Sequence, residues 1–356
     1  MVVNKLELIN FRNYLNLSLN FNNKINFIVG ENAEGKTNLV EGIYTLSLAK
    51  SFRTQNTIEL IKNNKEKAIV KGTIVSLSNY KKVEIEFNKF GKKVLINSKP
   101  IKKISELNKI LNVIYFIPKD VILLKDTPKS RRQFLDLSIS KLNNDYLKNV
   151  INYEKILKER NDLLKTYPLN NTLFDILTDN LIELSKEIYK SRRDFVDEIN
   201  LYISEIYNRV SMNKNKKVFV KYLTYINDYD SYYEIAKKKF NELKEDEFKK
   251  KQTLLGIQKD DFKVYLDDLD ASLYGSQSEN RLSVLSLKLA NYFIAKDEKP
   301  VIILDDILSE FDDEHEKNLL NYLNDFGQIF ITGCKKSKYY TSTYYEVTNK
   351  KVEIKE

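Results

Sequence analysis

Gly30-Glu31-Asn32-Ala33-Glu34-Gly35-Lys36-Thr37 fits G-x-x-x-x-G-K-[ST], the pattern of a phosphate-binding P-loop. Its flanks supply the setting that the pattern needs. Ile25-Asn26-Phe27-Ile28-Val29 reads as a short buried strand entering the loop, and Leu39, Val40, Ile43 and Leu46 follow at helical spacing. Gly30 and Gly35 permit backbone angles and a close approach that a Cβ would block, so successive N–H groups can point at phosphate oxygens. Lys36 would neutralise the β and γ phosphates. Thr37 would present its hydroxyl to Mg²⁺ while the helix N-terminus faces the anion.

Upstream, Leu6 and Leu8 alternate with Lys5 and Glu7, and Leu17 and Leu19 alternate again, which predicts two antiparallel strands joined through Phe11-Arg12-Asn13-Tyr14. Arg12 in that turn is a candidate for a nucleotide phosphate or base, the alternative being a surface ion pair. Downstream of the P-loop helix, the stretches 68–75, 82–87 and 94–97 alternate with polar breaks and predict a small antiparallel sheet. Residues 114–118 predict a further buried strand, ended by Pro118 and Asp120.

From 130 to about 212 the hydrophobic period becomes helical. Tyr146, Val150, Tyr153 and Leu157 step by four, three and four. After a turn at Pro168-Leu169-Asn170-Asn171, Phe174, Leu177, Leu181, Leu184, Ile188, Phe195, Ile199, Tyr202 and Ile206 keep a heptad-like stripe. The pattern predicts a long antiparallel helical hairpin. Arg160 and Arg192 fall at seam positions, where packed stems with heads in water are expected; the sharper alternative is that they face DNA or a partner. Next come an alternating strand over 217–225 and a charged helix over 232–251 carrying Lys237-Lys238-Lys239 and Lys249-Lys250-Lys251. Such runs form a solvated face or, beside a groove, phosphate contacts.

The last third holds a second set of nucleotide-site features. Phe262, Val264 and Leu266 alternate into an Asp267-Asp268 hairpin turn, and Ser272-Leu273-Tyr274 is read as the return to Gly275-Ser276-Gln277-Ser278-Glu279. Leu282, Leu285, Leu289 and Phe293 lie on one face of the helix behind it, so its capped N-terminus is a candidate anion site. Val301-Ile302-Ile303-Leu304 then runs into Asp305-Asp306, the Walker B pattern. Asp305 would hold Mg²⁺, and Asp306 would orient or deprotonate the attacking water. A strand over 328–332 ends where such ATPases sense the γ-phosphate. P-loop, long insertion, capped signature helix, acidic strand and sensor strand stand in the order of ABC-type ATPases.

Composition narrows the field. The net charge of +9 suits a polyanionic partner, although lysine is heavy throughout. With Cys334 the one cysteine and His315 the one histidine, an internal disulfide, a zinc cluster and histidine-based nuclease or triad chemistry all lack parts. There is no apolar run of roughly eighteen residues and no signal-peptide pattern, so a cytoplasmic protein is expected.

These residues resemble the RecF family, bacterial DNA repair and recombination mediators related to SMC ATPase heads. The blocks that carry the resemblance are Phe11-Arg12-Asn13-Tyr14, Gly30 to Leu39, Lys50-Ser51-Phe52-Arg53-Thr54, Arg131-Arg132-Gln133-Phe134-Leu135-Asp136, Arg160-Asn161 and Leu304-Asp305-Asp306. The expected fold is α/β, an ABC-type P-loop ATPase head with a mixed sheet around the P-loop helix and an inserted α-helical arm. Residues 1–118 and 251–356 would form the head and 119–250 the arm. The resemblance implies ATP and Mg²⁺ as cofactors and an ATP-dependent homodimer in which one subunit's P-loop faces the other's signature motif. It also implies DNA binding at duplexes and gap junctions, slow hydrolysis, and RecO- and RecR-like partners in loading recombinase.

The nucleotide-binding candidates are therefore Gly30, Glu31, Asn32, Ala33, Glu34, Gly35, Lys36, Thr37 and Asn38 with Arg12 in cis, and Ser276 and Ser278 in trans. The catalytic candidates are Lys36, Asp305 and Asp306, and the metal candidates are Thr37 and Asp305. Three departures stand out. Ser276-Gln277-Ser278-Glu279 replaces the family's Ser-Gln-Gly-Gln, Gly256-Ile257-Gln258-Lys259-Asp260-Asp261 replaces Gly-Pro-His-Arg-Asp-Asp, and Lys119 stands where an acid is usual. The changed signature should weaken trans recognition, which favours an alternative reading as a non-hydrolysing ATP-dependent scaffold. A transporter ATPase subunit shares the motif order but fits neither the basic charge nor the helical insertion. A nuclease of the overcoming-lysogenisation type would need a further acidic domain.

Overall fold

The computed structural model describes the chain apart from residues 77, 78, 167–169, 212–214, 297, 341 and 356. The chain begins with β1 (Val2–Phe11), β2 (Tyr14–Asn20) and β3 (Ile25–Val29), then α1 (Lys36–Leu48). β4 (Lys67–Ser76), β5 (Asn79–Asn88), β6 (Gly91–Ile96), β7 (Lys99–Pro100) and β8 (Val113–Phe116) follow. Four helices come next: α2 (Pro128–Leu142), α3 (Asn144–Leu163), α4 (Asn171–Asn200) and α5 (Ile203–Val210). Then come β9 (Val218–Leu223), α6 (Tyr232–Lys250), β10 (Asp261–Leu266), β11 (Leu269–Asp270), α7 (Ala271–Tyr274) and α8 (Gln277–Ile294). The chain closes with β12 (Val301–Leu304), α9 (Asp313–Leu323), β13 (Ile329–Gly333), β14 (Tyr344–Thr348) and β15 (Lys351–Lys355).

Two compact units result. The first comprises Met1–Asp120, Glu205–Asn215 and Leu285–Glu356, and the second Val121–Ser204 and Lys216–Val284. The first unit holds two six-stranded sheets. One runs β2-β1-β4-β5-β6-β7 and is antiparallel throughout. The other runs β15-β14-β3-β13-β12-β8, with β14, β3, β13, β12 and β8 parallel and β15 antiparallel at the edge. β3, β12 and β13 are buried along their whole length, as a parallel strand covered on both faces must be. Leu8, Leu39, Ile43, Leu46, Val70 and Ile85 share one apolar core that seats α1 against the antiparallel sheet. The second sheet is the mixed sheet expected around the P-loop helix, and the first joins the two expected N-terminal strands to the expected small antiparallel sheet.

The second unit contains α3 and α4, the helical hairpin expected from the seam, together with a three-stranded sheet β11-β10-β9. Of the turn expected between the two helices, Pro168 and Leu169 lie outside the described residues, as does Met212 at the end of the helical stretch. Asn170 caps α4 by accepting from the Leu173 N–H at 3.0 Å. Asp267 and Asp268 form the hairpin turn with φ of 49° and 68°. The return strand is shorter than expected. Asp270 accepts from the Ser272 N–H at 2.9 Å, which starts a helical turn, so Ser272-Leu273-Tyr274 is helix and not strand.

The expectation that Arg160 and Arg192 keep their heads in water is corrected, and so is the alternative that they face DNA or a partner. Both are buried, at 1% and 2% exposure. Arg160 donates to Thr178 Oγ1 at 2.9 Å, Thr253 Oγ1 at 2.7 Å and Glu247 Oε2 at 2.6 Å, with its guanidinium 4.3 Å from the Phe174 ring centroid. Arg192 donates to Asp136 Oδ1 at 2.8 Å, the Tyr146 hydroxyl at 3.0 Å and the Ile257 carbonyl at 3.0 Å. A buried guanidinium is tolerable only when its donors are matched, and these are. No helix among the described residues is long and apolar enough to cross a membrane.

Candidate functional site

The P-loop is shaped by what backs it. The Gly30 position could not hold a Cβ, which would lie 2.4 Å from the Val347 carbonyl oxygen. Gly35 sits at φ +121°, where a Cβ would come within 2.6 Å of Asn13 Nδ2. The β1–β2 turn props the loop from below. Asn13 Nδ2 donates to the Glu34 carbonyl at 3.1 Å, and the buried Tyr14 hydroxyl donates to the Gly35 carbonyl at 3.1 Å. Asn38 Nδ2 closes the same contact by donating to Asn13 Oδ1 at 2.9 Å. Lys36 Nζ reaches back across the loop to the carbonyls of Gly30 at 2.6 Å and Glu31 at 2.8 Å.

Walker B meets the loop through a hydroxyl network. β12 lies parallel between β8 and β13, which carries Asp305 to the C-terminal edge of the sheet beside the start of α1. Thr37 Oγ1 lies 3.0 Å from both carboxylate oxygens of Asp305. Thr332, at the end of β13, donates its hydroxyl to Asp305 Oδ1 at 2.6 Å and accepts from the Asp306 N–H at 2.9 Å. Burial pushes the Asp305 carboxyl upward, partly offset by the hydroxyls of Thr332 and Thr37. Asp306 sits at φ +51°, and its Oδ1 is buried with no hydrogen-bond partner. An orphaned buried carboxylate oxygen marks a position built for a further donor or water.

Around these groups lies a cavity of about 260 Å³ lined by Asn32, Ala33, Gly35, Lys36, Thr37, Asn38, Arg53, Asp306 and Thr332. Glu31 and Glu34 do not line it and border a separate cavity with Gly30 and Cys334. The cavity combines a lysine, a helix N-terminus and backbone N–H groups with a hydroxyl and a carboxylate. That is the donor set for a polyphosphate and a small hard cation.

Arg12 is placed differently. Its Nε and Nη2 hold both carboxylate oxygens of fully buried Glu41, at 2.8 and 2.6 Å, and its Nη1 donates to the Glu59 carbonyl at 2.9 Å. Arg53 approaches the same Glu41 at 3.7 Å and donates to Asn38 Oδ1 at 2.9 Å, so it bridges this buried carboxylate and the cavity.

Ser276 and Ser278 belong to the second unit and are exposed at the start of α8. The Ser276 N–H donates to Glu279 Oε2 at 2.9 Å, and the Glu279 N–H donates to Ser276 Oγ at 3.2 Å, a reciprocal capping box. Lys216 also holds Glu279, and this contact lowers the pKa of that carboxyl. The charge that Glu279 brings to the signature is thus matched within its own unit.

Four groups escaped the sequence reading: Asn13, Tyr14, Arg53 and the hydroxyl of Thr332. The blocks around the first three and the sensor strand were visible. Which of their atoms reach the loop depends on strand register and on the turn, which local pattern does not encode.

Comparison with known proteins agrees with this geometry. The family model for the RecF/RecN/SMC N terminal domain matches residues 2–355. A relative from Clostridioides difficile (strain 630), described as DNA replication and repair protein RecF, is 39% identical over 345 residues, covering 95% of this chain and 92% of that protein. A solved structure described as the recombination mediator protein RecF-ATP in the RecFOR pathway superposes with a TM-score of 0.90 at 30% identity, covering 99% of this chain and 97% of the other. An Smc head domain from Pyrococcus furiosus matches at a TM-score of 0.60 and 14% identity over 99% of this chain and 95% of that one, a likeness of fold. A P-loop backed by the β1–β2 turn, an acidic strand reaching its threonine, a helical insertion and near full-length similarity lead to one assignment: the chain has an ABC-type ATPase head and belongs to the RecF family.

Proposed function

We propose that this chain is a cytoplasmic, ATP-binding DNA repair protein that closes as a homodimer on DNA near single-strand gaps and helps RecO- and RecR-like mediators load recombinase. The observation that carries the reading is the meeting of Thr37, Asp305 and Thr332 beside Lys36 at the mouth of the P-loop. On this reading the loop from Gly30 to Thr37 with Asn38 cradles the phosphates and Lys36 neutralises them. Thr37 and Asp305 would hold Mg²⁺, which would supply charge neutralisation at the phosphoryl oxygens. Asp306 orients or deprotonates water, with its backbone fixed by Thr332, and Ser276 and Ser278 meet the partner subunit's nucleotide. Arg12 acts from behind through Glu41.

Lys36→Ala should weaken ATP affinity by about 10-fold or more, the scale of a lost charge-assisted hydrogen bond. Isothermal titration with Mg-ATP measures it, and wild-type affinity in the variant would sink the reading.

A second reading, a scaffold that binds ATP without turning it over, is favoured by Ser278, whose side chain occupies a position that is glycine in the family pattern. The capping role of Glu279 speaks for an intact signature helix. ATP turnover that DNA stimulates and Asp306→Asn removes would exclude the scaffold.

A further inference from the structure

The β5–β6 hairpin ends in Asn88-Lys89-Phe90-Gly91, with Asn88 paired to Gly91 across a two-residue turn. The turn is built by its own side chain: Asn88 Oδ1 accepts from the Phe90 N–H at 2.9 Å, and Gly91 takes φ +139°. At its tip Phe90 is 88% exposed, more than any other large apolar side chain among the described residues. A polar residue would serve this turn equally well, so the ring has no folding reason to be there.

The surroundings of Phe90 are cationic. Lys89 Nζ lies 5.0 Å from the Phe90 ring centroid. Lys50, Lys89 and Lys93 are exposed, and Lys92 Nζ donates to the Ala49 carbonyl at 2.7 Å, beside Lys50. Burial first, and then the neighbouring charge of Lys50, push the Lys92 ammonium down. Glu86, the carboxylate of β5 near the tip, is held by Lys67 at 3.0 Å and stands opposite Lys93 in the strand register, whose charge also lowers its pKa. A projecting aromatic ring with a lysine beside it, on a hairpin that carries a further exposed lysine, is the chemistry that binds unpaired nucleotides, with a base stacked on the ring and phosphates on the ammonium groups.

We infer that the β5–β6 hairpin tip is a contact for single-stranded nucleic acid, with Phe90 as the stacking platform and Lys89 and Lys93 as phosphate contacts. This rests on the DNA-binding reading above and adds the place at which an unpaired strand is held. The base pairs inside a continuous duplex are covered on both faces by their neighbours and offer no free face to a ring standing on a hairpin tip, so the contact distinguishes the unpaired side of a gap. The hairpin is also tied to the P-loop helix, because Ala49, which receives Lys92, is the left-handed C-cap of α1.

The full chain contains no tryptophan, so Phe90→Trp places a single indole at the tip. Its emission should be quenched when oligo-dT saturates the protein and should stay unchanged with a covalently closed circular duplex, which has no ends. In fluorescence anisotropy, Phe90→Ala should weaken oligo-dT binding about 10-fold, with duplex affinity and circular dichroism unchanged. Lys89→Gln and Lys93→Gln should each reduce the salt slope on single strands by about 0.7. Wild-type oligo-dT affinity in Phe90→Ala, or unquenched Phe90→Trp at saturation, would overturn the inference while leaving DNA binding intact. An emission change that follows protein concentration without DNA would overturn it in favour of a contact with a second copy. Failure of the wild-type protein to bind any DNA would overturn both this inference and the DNA-binding reading.

Discussion

Arg160 is the largest fully buried side chain among the described residues, and its charge is met by Glu247, itself fully buried. Removing one member of such a pair strands the other in a medium that cannot solvate it. Arg160→Met should therefore cost about 3–5 kcal/mol in urea unfolding, and Arg160→Met with Glu247→Leu should cost clearly less. Equal losses would show that packing and not charge dominates the position. The sequence showed Arg160 in a helical seam but could not show its burial, because Glu247 and Thr253 lie some ninety residues away in the chain. Asp260 gives a pH test. Burial pushes its carboxyl up to about 6, against the pull of nearby Arg192. The unfolded value is about 3.9, so the folded state holds more protons between these limits. The contribution is fully present below about pH 4 and is lost as the pH rises through about 6, on the order of 1–3 kcal/mol. Asp260→Asn should flatten that part of the stability profile, measured by urea unfolding at several pH values. An unchanged slope would assign the titration elsewhere.

The strand–loop–helix unit of β3, the P-loop and α1 was legible in full, because its geometry is set by neighbours in sequence: two glycines, a buried strand and a helix stripe. Its tightest constraint was not legible. The carbonyl of Val347 comes from β14, the last strand but one, and decides why Gly30 must lack a Cβ. Gly30→Ala should push the loop away from β14, lowering stability by about 1–3 kcal/mol and weakening ATP binding along with it. Thermal unfolding with and without Mg-ATP reads both effects, and a variant with unchanged melting and unchanged ATP-induced stabilisation would contradict the packing argument. The start of α8 makes the complementary point. Ser-x-x-Glu was present in the sequence as a charge beside a proposed anion site, and the structure uses it as a cap. Ser276→Ala should cost about 1 kcal/mol in urea unfolding through loss of that cap alone. No loss would mean that Glu279 and Lys216 hold the helix end without it.

Within the whole molecule, the elements that local pattern could not assign are those whose partners are remote. The antiparallel sheet draws β1 and β4 together over more than sixty residues, and the parallel sheet interleaves strands from both ends of the chain. The motif order gave the head, and the period change gave the helical insertion. Neither reveals whether two heads meet, since the signature lies in the second unit and its proposed ligand is held by another copy. The central claim is that ATP joins two copies through Ser276 and Ser278, and sedimentation velocity with Mg²⁺ and no nucleotide, ADP or ATP tests it most directly. The account predicts that ATP alone converts monomer to dimer and that Lys36→Ala stays monomeric in all three conditions. A wild-type protein that remains monomeric with saturating ATP while Ser278→Gly dimerises would contradict it, and would leave the chain as an ATP-bound scaffold.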